Sequence, residues 1–518
     1  MKRHLGVLLL MLSLLYGFGC ANREIVQQQV IPGEFPDPSI IEVNGVFYAT
    51  GSSNDWGPVY PIYKSTDMVH WEFMNYVFDT PPAWTTSSFW APELFYHNGM
   101  FYCYYTARAA DGVSCIGVAV TDDPTKGFED KGILIRWGNE AIDAFVYKEN
   151  DSLYITWKAY GLNPEKPIQI LGSQLSPDGL SLTGEAFDIL TAEPGNWEKG
   201  GMEGQCILEN DGFLYMLYSG NACCGGSCDY KVGVARAKTM KGPWEKFDRN
   251  PLLEGNNAWK CPGHGTAIKT GNKWYYLYHA YHAKGFPYLG RTCLLSELSW
   301  DKQTGWPLFH PELATKTNGT LSLRNVKDDF ETNKLENWWH YDIPASQFKA
   351  TVEKGELTLT EISRSQNNNT GSALCVIPDG AGFSMTTKVA SANQALKGLV
   401  FYATSFNSVG LGIKNDTLVL WKVKDNQFIE LNKLKTGQFN GVFLKGTIDD
   451  AHIIEFFYST DENSWNKISN PQTANGKVIG DNLAWWSWGT KAGLFVKTDS
   501  FTNQNSAVFD KFELVYEP

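Results

Sequence analysis

Asn44-Gly-Val-Phe-Tyr-Ala-Thr50 is the first of five copies of one short pattern, and this pattern decides the fold of the chain. Each copy is a turn signal followed by aromatic or β-branched residues, which is typical of a hairpin that leads into a strand. The copies recur about every 55 residues, and all-β repeats of that length predict the blades of a β-propeller. The other copies are Asn98-Gly-Met-Phe-Tyr-Cys-Tyr104, Asn150-Asp-Ser-Leu-Tyr-Ile-Thr156, Asn210-Asp-Gly-Phe-Leu-Tyr-Met216 and Gly271-Asn-Lys-Trp-Tyr-Tyr-Leu277.

A polar residue stands a few positions before each copy of the pattern. A propeller gathers the inner strands of its blades around one axis, so these side chains are expected to meet in one pocket. Solvated loop residues would have no reason to keep the same place in every repeat. The five residues are Asp37, Glu93, Asp143, Glu203 and His264.

A second region of short strand-like runs follows the point where the repeat ends. Runs such as Leu418-Val-Leu-Trp421 and Ile453-Ile-Glu-Phe-Phe-Tyr458 are separated by turn residues, and helical periodicity is scarce. Many strands at such short spacing predict a jelly-roll sandwich. The expected fold is therefore all-β, with a five-bladed β-propeller over residues 33–325 and a β-sandwich over residues 326–518.

The first twenty residues have the pattern of an export signal. Two basic residues precede the apolar run Leu5–Tyr16, which is too short to cross a bilayer. The run ends in Gly17-Phe-Gly-Cys20, which resembles a bacterial lipobox, although that pattern prefers leucine at the place of Gly17. Lipidation of Cys20 would leave residues 21–32 as a tether and hold the protein in the periplasm or outer membrane by lipid alone. The alternative is an ordinary signal peptide with an incidental cysteine.

The composition of the 518 residues excludes one class of function and agrees with another. The net charge of −12 contradicts the basic surface with which proteins bind nucleic acids. The 19 tryptophans suit a protein that stacks aromatic rings against sugars, although many of them must lie in the core. The composition is therefore compatible with a carbohydrate partner and says nothing about oligomeric state.

One cysteine cluster, Cys223-Cys-Gly-Gly-Ser-Cys228, stands out in a chain that is expected to be exported. Export permits disulfides, and no second pair of ligands at a suitable spacing supports a zinc site. A loop tied by a disulfide is favoured over free thiols or a metal.

Two of the acids lie in backbone contexts that suit a site. Asp37 has a proline on each side, which fixes the backbone and removes competing N–H donors. This context fits a turn cap as well as a positioned carboxylate. Glu203 precedes Gly204, where a backbone can approach closely, yet an isolated acid beside glycine more often faces solvent. Asp37 and Glu203 occupy the same place in the repeat as Asp143, and this shared place favours a catalytic role for them.

Six motifs in this order and spacing resemble glycoside hydrolase family 43, a family of five-bladed propellers that cleave arabinose- and xylose-containing glycans. The resemblance covers residues 30–325, and each motif alone is weak. Ala144 and Gln205 stand where proline is commoner in the family, which indicates a distinct subfamily. The motifs are Phe35-Pro-Asp-Pro-Ser39, Ser65-Thr-Asp-Met-Val-His-Trp71, Trp90-Ala-Pro-Glu93, Ile142-Asp-Ala-Phe145, Met202-Glu-Gly204 and Gly263-His-Gly265.

The resemblance implies inverting hydrolysis by two carboxyl groups on opposite faces of the sugar, with no required cofactor. It assigns Asp37 as general base, Glu203 as general acid and Asp143 as the residue that orients and tunes the acid. An ionised Asp143 is expected to raise the pKa of Glu203 by like-charge repulsion, so that Glu203 is protonated near neutral pH. Asp37 is expected to lie near cations or donors and to stay ionised.

The resemblance also assigns residues around the sugar. Phe89 and Trp90 match the aromatic wall of the first subsite, and Arg291 matches an arginine of the sugar pocket, with a plain salt bridge as the alternative. Glu93 either hydrogen-bonds the sugar or closes the blade. His264 matches an axial histidine that faces the substrate or a structural calcium, and the alternative is a satisfied histidine in a glycine-rich turn.

Three functions are weighed for this chain. The first is an exo-acting α-L-arabinofuranosidase, and the second keeps the chemistry but acts as a β-D-xylosidase or exo-galactanase. The third, of another class, is a glycan-binding lipoprotein without activity, which the retention of all three carboxylates opposes. The C-terminal region resembles a concanavalin-like module that sometimes adds an aromatic to the pocket rim. Trp485-Trp-Ser-Trp488 is a candidate for that role, with burial in the core as the alternative.

Overall fold

The structure is a computed structural model, and its described part excludes several segments. The predicted signal peptide, Cys20 and most of the tether lie outside it, as do Trp485 and Trp486. In the part of the chain that is described, no helix has the length and apolar character needed to cross a membrane. The described residues are 29–161, 166–283, 288–311, 323–437, 441–450, 452–473, 478–479, 483 and 488–516.

The repeat forms five four-stranded antiparallel sheets, each built from strands that are consecutive in the chain. They are the blades of the predicted propeller, which is confirmed. The short strand β3 lies outside the first blade, between its second and third strands. The strands, blade by blade, are β1 (Ser39–Val43), β2 (Val46–Thr50), β3 (Trp56–Gly57), β4 (Val59–Ser65) and β5 (Glu72–Phe78); β6 (Thr85–His97), β7 (Met100–Ala109), β8 (Ser114–Thr121) and β9 (Glu129–Ile135); β10 (Ala141–Glu149), β11 (Ser152–Ala159), β12 (Gln169–Leu175) and β13 (Phe187–Thr191); β14 (Met202–Asn210), β15 (Phe213–Gly220), β16 (Lys231–Ala237) and β17 (Glu245–Lys246); β18 (Trp259–Thr270), β19 (Lys273–His282), β20 (Arg291–Trp300) and β21 (Pro307–His310).

The ring of blades closes on itself. Each inner strand contacts the inner strand of the next blade, and β1 of the first blade contacts β18 of the last. The segment before β1 adds hydrogen bonds across this seam. The N–H of Val30 donates to the carbonyl of Cys293 at 2.9 Å, and the N–H of Phe35 donates to that of Arg291 at 2.8 Å. The first and last inner strands therefore face the same central axis.

Two packed sheets form the C-terminal region, which confirms the predicted sandwich. One sheet has nine strands and the other six, and Phe401, Leu444 and Phe512 belong to the core between them. Short 3-10 helices occur at Pro124–Lys126 in the propeller and at Asn503–Asn505 here. The strands are β22 (Val326–Asp328), β23 (Tyr341–Asp342), β24 (Ser346–Glu353), β25 (Glu356–Arg364), β26 (Ser372–Val376), β27 (Phe383–Val389), β28 (Leu396–Thr404), β29 (Asn407–Lys414), β30 (Thr417–Lys424), β31 (Gln427–Lys435), β32 (Val442–Ile448), β33 (Ile453–Ser459), β34 (Asn466–Ile468), β35 (Val478–Ile479), β36 (Lys491–Lys497) and β37 (Ala507–Tyr516).

The cysteines follow the sequence-based prediction and add one detail. The loop after β15 is tied by disulfides, as expected, and one of them reaches the inner strand of the last blade. The pairs are Cys223–Cys224 and Cys228–Cys261, and the buried free thiols are Cys103, Cys115, Cys206, Cys293 and Cys375.

Trp56 joins the propeller to the sandwich. Its indole is buried between Tyr402, with ring centroids 5.2 Å apart, and the ammonium of Lys491, which lies 4.8 Å from the ring centroid. Lys491 also forms a buried ion pair with Glu34 at 2.8 Å. The strand that holds Trp56, β3, pairs with β23 of the sandwich. The two domains therefore share one small core beside the first blade.

We expect Trp56→Ala to lower the free energy of unfolding by about 3–5 kcal/mol, because it empties this shared core. Trp71→Ala is the control, since Trp71 lies in the same blade and is only partly buried. Urea unfolding followed by tryptophan fluorescence measures both variants. Equal losses in the two variants would contradict a special role for Trp56.

Candidate active site

Most of the predicted polar residues lie where the pairing of an inner strand is irregular, and Asp37 lies just before β1. The pairing register shifts between Ile142 and Phe145 in β10, and between Glu203 and Cys206 in β14. Such bulges re-aim a side chain away from the regular alternation of a strand. The backbone φ is positive at Asp37 (53°), Asp143 (59°) and His264 (42°), a region that non-glycine residues rarely adopt. The polar residues therefore keep the same place in each repeat because the backbone is distorted at that place.

His264 brings two of the acids together. Its Nδ1 lies 3.4 Å from Oδ1 of Asp37 and 3.7 Å from Oδ2 of Asp143. The ring packs over Gly204, where an added Cβ would approach it to 2.6 Å, so glycine is required beside Glu203. The structure thus places residues of the first, third, fourth and fifth blades around one imidazole.

Asp37 is a buried carboxylate that the protein keeps ionised. Its Oδ1 accepts a hydrogen bond from Arg291 Nη1 at 2.7 Å, and its Oδ2 accepts one from Ser52 Oγ at 2.5 Å. Burial raises the pKa of Asp37, but the charges of Arg291 and His264 outweigh it and hold that pKa well below 3.8. The direction expected for Asp37 agrees with this, and Arg291 acts as its ion-pair partner.

Glu203 meets a cation that the sequence analysis did not identify. Lys158 Nζ lies 2.8 Å from Oε2 of Glu203, and the hydroxyl of Tyr230 donates to Oε1 at 3.0 Å. Burial raises the pKa of Glu203, but the ammonium of Lys158 outweighs burial and lowers it. The raised pKa expected for Glu203 is therefore wrong for the free protein, because repulsion from Asp143 is weaker than attraction to Lys158.

Asp143 carries the raised pKa instead. Burial raises it to about 7, and the carboxylates of Glu203 and Asp37 add to this, while His264 and Lys158 oppose it. Its Oδ2 accepts the N–H of Gly204 at 3.0 Å. Of these two acids, Asp143 therefore binds a proton more readily than Glu203.

Gln205 explains one departure from the family pattern. Its side-chain amide donates to the carbonyl of Asp143 at 2.5 Å and to Oγ1 of Thr156 at 3.2 Å. Proline at this position could make neither bond. Gln205 therefore fixes the backbone of Asp143 to the strand that carries Glu203.

The two aromatic residues predicted to line the sugar pocket, Phe89 and Trp90, differ in exposure. Phe89 has no exposed surface and packs in a core with Tyr60, so its assignment to the wall of the pocket is wrong in this structure. Trp90 is partly exposed, and the guanidinium of Arg108 lies 5.7 Å from its ring centroid.

Glu93 is buried close to the propeller axis. The hydroxyl of Thr266 lies 3.5 Å from its Oε2, and burial raises its pKa to about 8. Ser39 and Thr266, which hydrogen-bond Glu93, belong to the first and last blades. These contacts join Glu93 to two other blades of the ring, whereas the sequence analysis expected it to bind the sugar or to close its own blade.

The calcium interpretation of His264 finds no ligand set. Among the residues that the structure describes, no group of three or more His, Cys, Asp or Glu side chains is arranged to hold a metal. His264 contacts the carboxylates of Asp37 and Asp143, which supports its predicted position near the propeller axis.

Two residues of the site were missed by sequence reasoning although each leaves a signal. Lys158 stands in the run Leu153–Ala159, which is otherwise apolar apart from Thr156, and a charge in a buried middle strand needs a partner. His279 occupies a similar place in β19, and its neutral Nδ1 accepts the N–H of Asp37 at 3.0 Å. Its pKa falls to about 4 because of burial and the charge of Arg291.

Comparison with known proteins agrees with this geometry. Over 297 residues, the chain is 29% identical to the extracellular endo-alpha-(1->5)-L-arabinanase 1 of Bacillus subtilis, which covers 53% of the chain and 87% of that protein. Over 320 residues, it is 30% identical to an extracellular exo-alpha-(1->5)-L-arabinofuranosidase of Cellvibrio japonicus, which covers 56% of the chain and 89% of that protein. Both matches are long enough to include a whole propeller.

The fold also matches a solved structure. The xylan beta-1,4-xylosidase of Bacillus halodurans superposes with a TM-score of 0.79 at 22% identity, over 94% of this chain and 99% of that one. Residues 327–515 match the model described as the beta xylosidase C-terminal concanavalin A-like domain. Residues 26–307, more than half of the chain, match the model of glycosyl hydrolases family 43. The chain therefore belongs to glycosyl hydrolase family 43 and is a glycoside hydrolase.

Proposed function

We propose that this protein is an exported, inverting exo-glycosidase that releases terminal α-L-arabinofuranose from plant-type polysaccharide. The observation that carries the proposal is the difference between its buried carboxyl groups. Asp37 is held ionised by Arg291, whereas burial raises the pKa of Asp143, beside Glu203, to about 7. Titratable groups whose environments separate their pKa values are the mark of paired acid and base catalysis.

In the proposed reaction, Asp37 takes a proton from the water that attacks the anomeric carbon. Glu203 gives a proton to the glycosidic oxygen, so the bond to the leaving group breaks as the bond to water forms. Inversion requires room for this water between the two carboxyl groups. Asp143 holds the strand of Glu203 through the N–H of Gly204 and, with its raised pKa, keeps the proton that the acid needs.

The sugar is inferred from the relatives. The two proteins named above are an arabinanase and an arabinofuranosidase, which favours α-L-arabinofuranosyl substrates. β-D-Xylosidase activity is the second candidate, because the C-terminal domain matches a module described from beta xylosidases. Both relatives are named extracellular, which supports export, and lipidation of Cys20 stays a prediction.

The test is a release assay with the 4-nitrophenyl glycosides of α-L-arabinofuranose, β-D-xylose and β-D-galactose, together with arabinan. We expect the arabinofuranoside to be hydrolysed fastest. Proton NMR of the first product must show the β-anomer before mutarotation, and a first product with the α-configuration would contradict inversion. A protein that binds arabino-oligosaccharides but hydrolyses none of these substrates would instead be the glycan-binding lipoprotein.

A further inference from the structure

Lys158 lies between two carboxylates in a site that is almost dry. Its Nζ is 2.8 Å from Oε2 of Glu203 and 3.3 Å from Oε1 of Glu140. The exposed fractions of these side chains are 11% for Lys158, 18% for Glu203 and 5% for Glu140. One buried ammonium therefore serves two acids, of which only one is assigned to the chemistry.

The backbone fixes all three groups relative to Asp143. Lys158 is the register partner of Ile142, the residue before Asp143, across the β10–β11 ladder. Glu140 immediately precedes β10, and its carboxyl group packs on Gly161, where an added Cβ would lie 2.0 Å from Oε1. The strands therefore hold Lys158 with both of its partners within 3.3 Å of its Nζ.

Glu140 has an unused capacity to accept the ammonium. Its Oε1 is buried and accepts no hydrogen bond, although Lys158 Nζ is nearby. A buried carboxylate oxygen without a donor is unfavourable, so a short movement of Lys158 toward Glu140 would supply the missing bond.

The present arrangement is inhibitory for the proposed chemistry. General acid catalysis requires a protonated Glu203, and a cation at 2.8 Å favours the ionised form. The groups that face Glu203 are Lys158 from β11, Asp143 from β10, Tyr230 from the loop before β16 and His264 from β18. Lys158 is the closest charged group among them, so its movement changes the balance most.

We propose that Lys158 is a positioning residue that leaves Glu203 for Glu140 when the leaving-group oxygen enters the site. The proton on Asp143 then moves to Glu203, and Glu203 passes it to the glycosidic oxygen. The total charge of the four groups does not change, because Asp143 becomes ionised as Glu203 becomes neutral. This inference rests on the proposed function and identifies Glu140 as its second positioning residue.

Two opposite substitutions test the proposal through the pH profile of kcat/KM. Glu140→Gln removes the alternative partner, so Lys158 stays on Glu203 and the alkaline limb should move to lower pH. Lys158→Met removes the cation, and the alkaline limb should move to higher pH by about one unit or more. Lys148→Met is the control, because Lys148 is exposed on β10 and should leave the profile unchanged.

The double variant Lys158→Met with Glu140→Gln guards against misfolding, because it removes both charges. The double variant should have the same pH profile of kcat/KM as Lys158→Met, and it should be more thermally stable than that single variant. The proposal would be overturned if the alkaline limbs of Glu140→Gln and Lys158→Met moved in the same direction, or if neither moved although both variants fold. Lys158, Glu140 and Glu203 would then form an ion cluster with a structural role only. A wild-type protein without hydrolytic activity would overturn the proposed function instead, so the two failures are distinguishable.

Discussion

Glu203→Gln is expected to lower kcat by about 10²–10⁴ on substrates whose leaving group is another sugar, because such a group cannot depart without a proton. Glutamine keeps the shape of the side chain, and the hydroxyl of Tyr230 can still donate to it. With the 4-nitrophenyl glycoside, whose leaving group is a weak base, the loss should shrink to roughly tenfold or less. Initial rates on arabino-oligosaccharides and on the aryl glycoside measure this contrast.

Glu209→Gln is the matched control for this experiment. Glu209 lies on the same strand, β14, but is exposed, and the hydroxyl of Tyr147 donates to it at 3.2 Å. Its substitution should leave kcat within about twofold of the wild-type value, as is usual for surface positions. An equal loss on both classes of substrate in Glu203→Gln would refute the role of Glu203 as general acid.

Asp37→Asn is expected to remove activity by a similar factor, about 10²–10⁴, on every substrate. The loss should not depend on the leaving group, because the base acts on water rather than on the departing oxygen. This difference in leaving-group dependence separates the base from the acid in the same assay. An asparagine variant that retains more than about a tenth of wild-type activity would exclude Asp37 as the base.

The same substitution should also affect stability, because Arg291, of which only 4% is exposed, would lose its ion pair with Asp37. Breaking a buried ion pair costs about 3–5 kcal/mol. Asp37 has a lowered pKa in the folded state, so its contribution is present above 3.8 and is lost as the pH falls below that value. The stability difference between wild type and Asp37→Asn should therefore narrow in acid, which urea unfolding at pH 7 and pH 3 can measure.

The position of Lys158 explains why the pKa values of Glu203 and Asp143 shift in opposite directions. Like-charge repulsion was expected to raise the pKa of Glu203, but the raised pKa belongs to Asp143, where burial is the main cause and the carboxylates of Glu203 and Asp37 add to it. The reason is the position of one cation. Lys158 contacts Glu203 directly, whereas Asp143 faces His264 at the longer distance of 3.7 Å.

The sequence alone determined the architecture of this protein. Turn signals and strand-forming residues act between near neighbours, so five repeats of Asn98-Gly-Met-Phe-type hairpins were sufficient to predict five blades. The position of Asp143 and Glu203 in the repeat was equally local, since each lies at the one register shift of its inner strand.

Only the tertiary structure decided the charge balance and the lining of the site. The attraction of Lys158 to Glu203, the disulfide between Cys228 and Cys261, and the burial of Phe89 all depend on contacts between different blades or between different strands of one blade. Electrostatic energies in a buried site change steeply over a few ångströms, and spacing along the chain does not define such distances. For that reason the sequence could name the acids but not state which of them holds the proton.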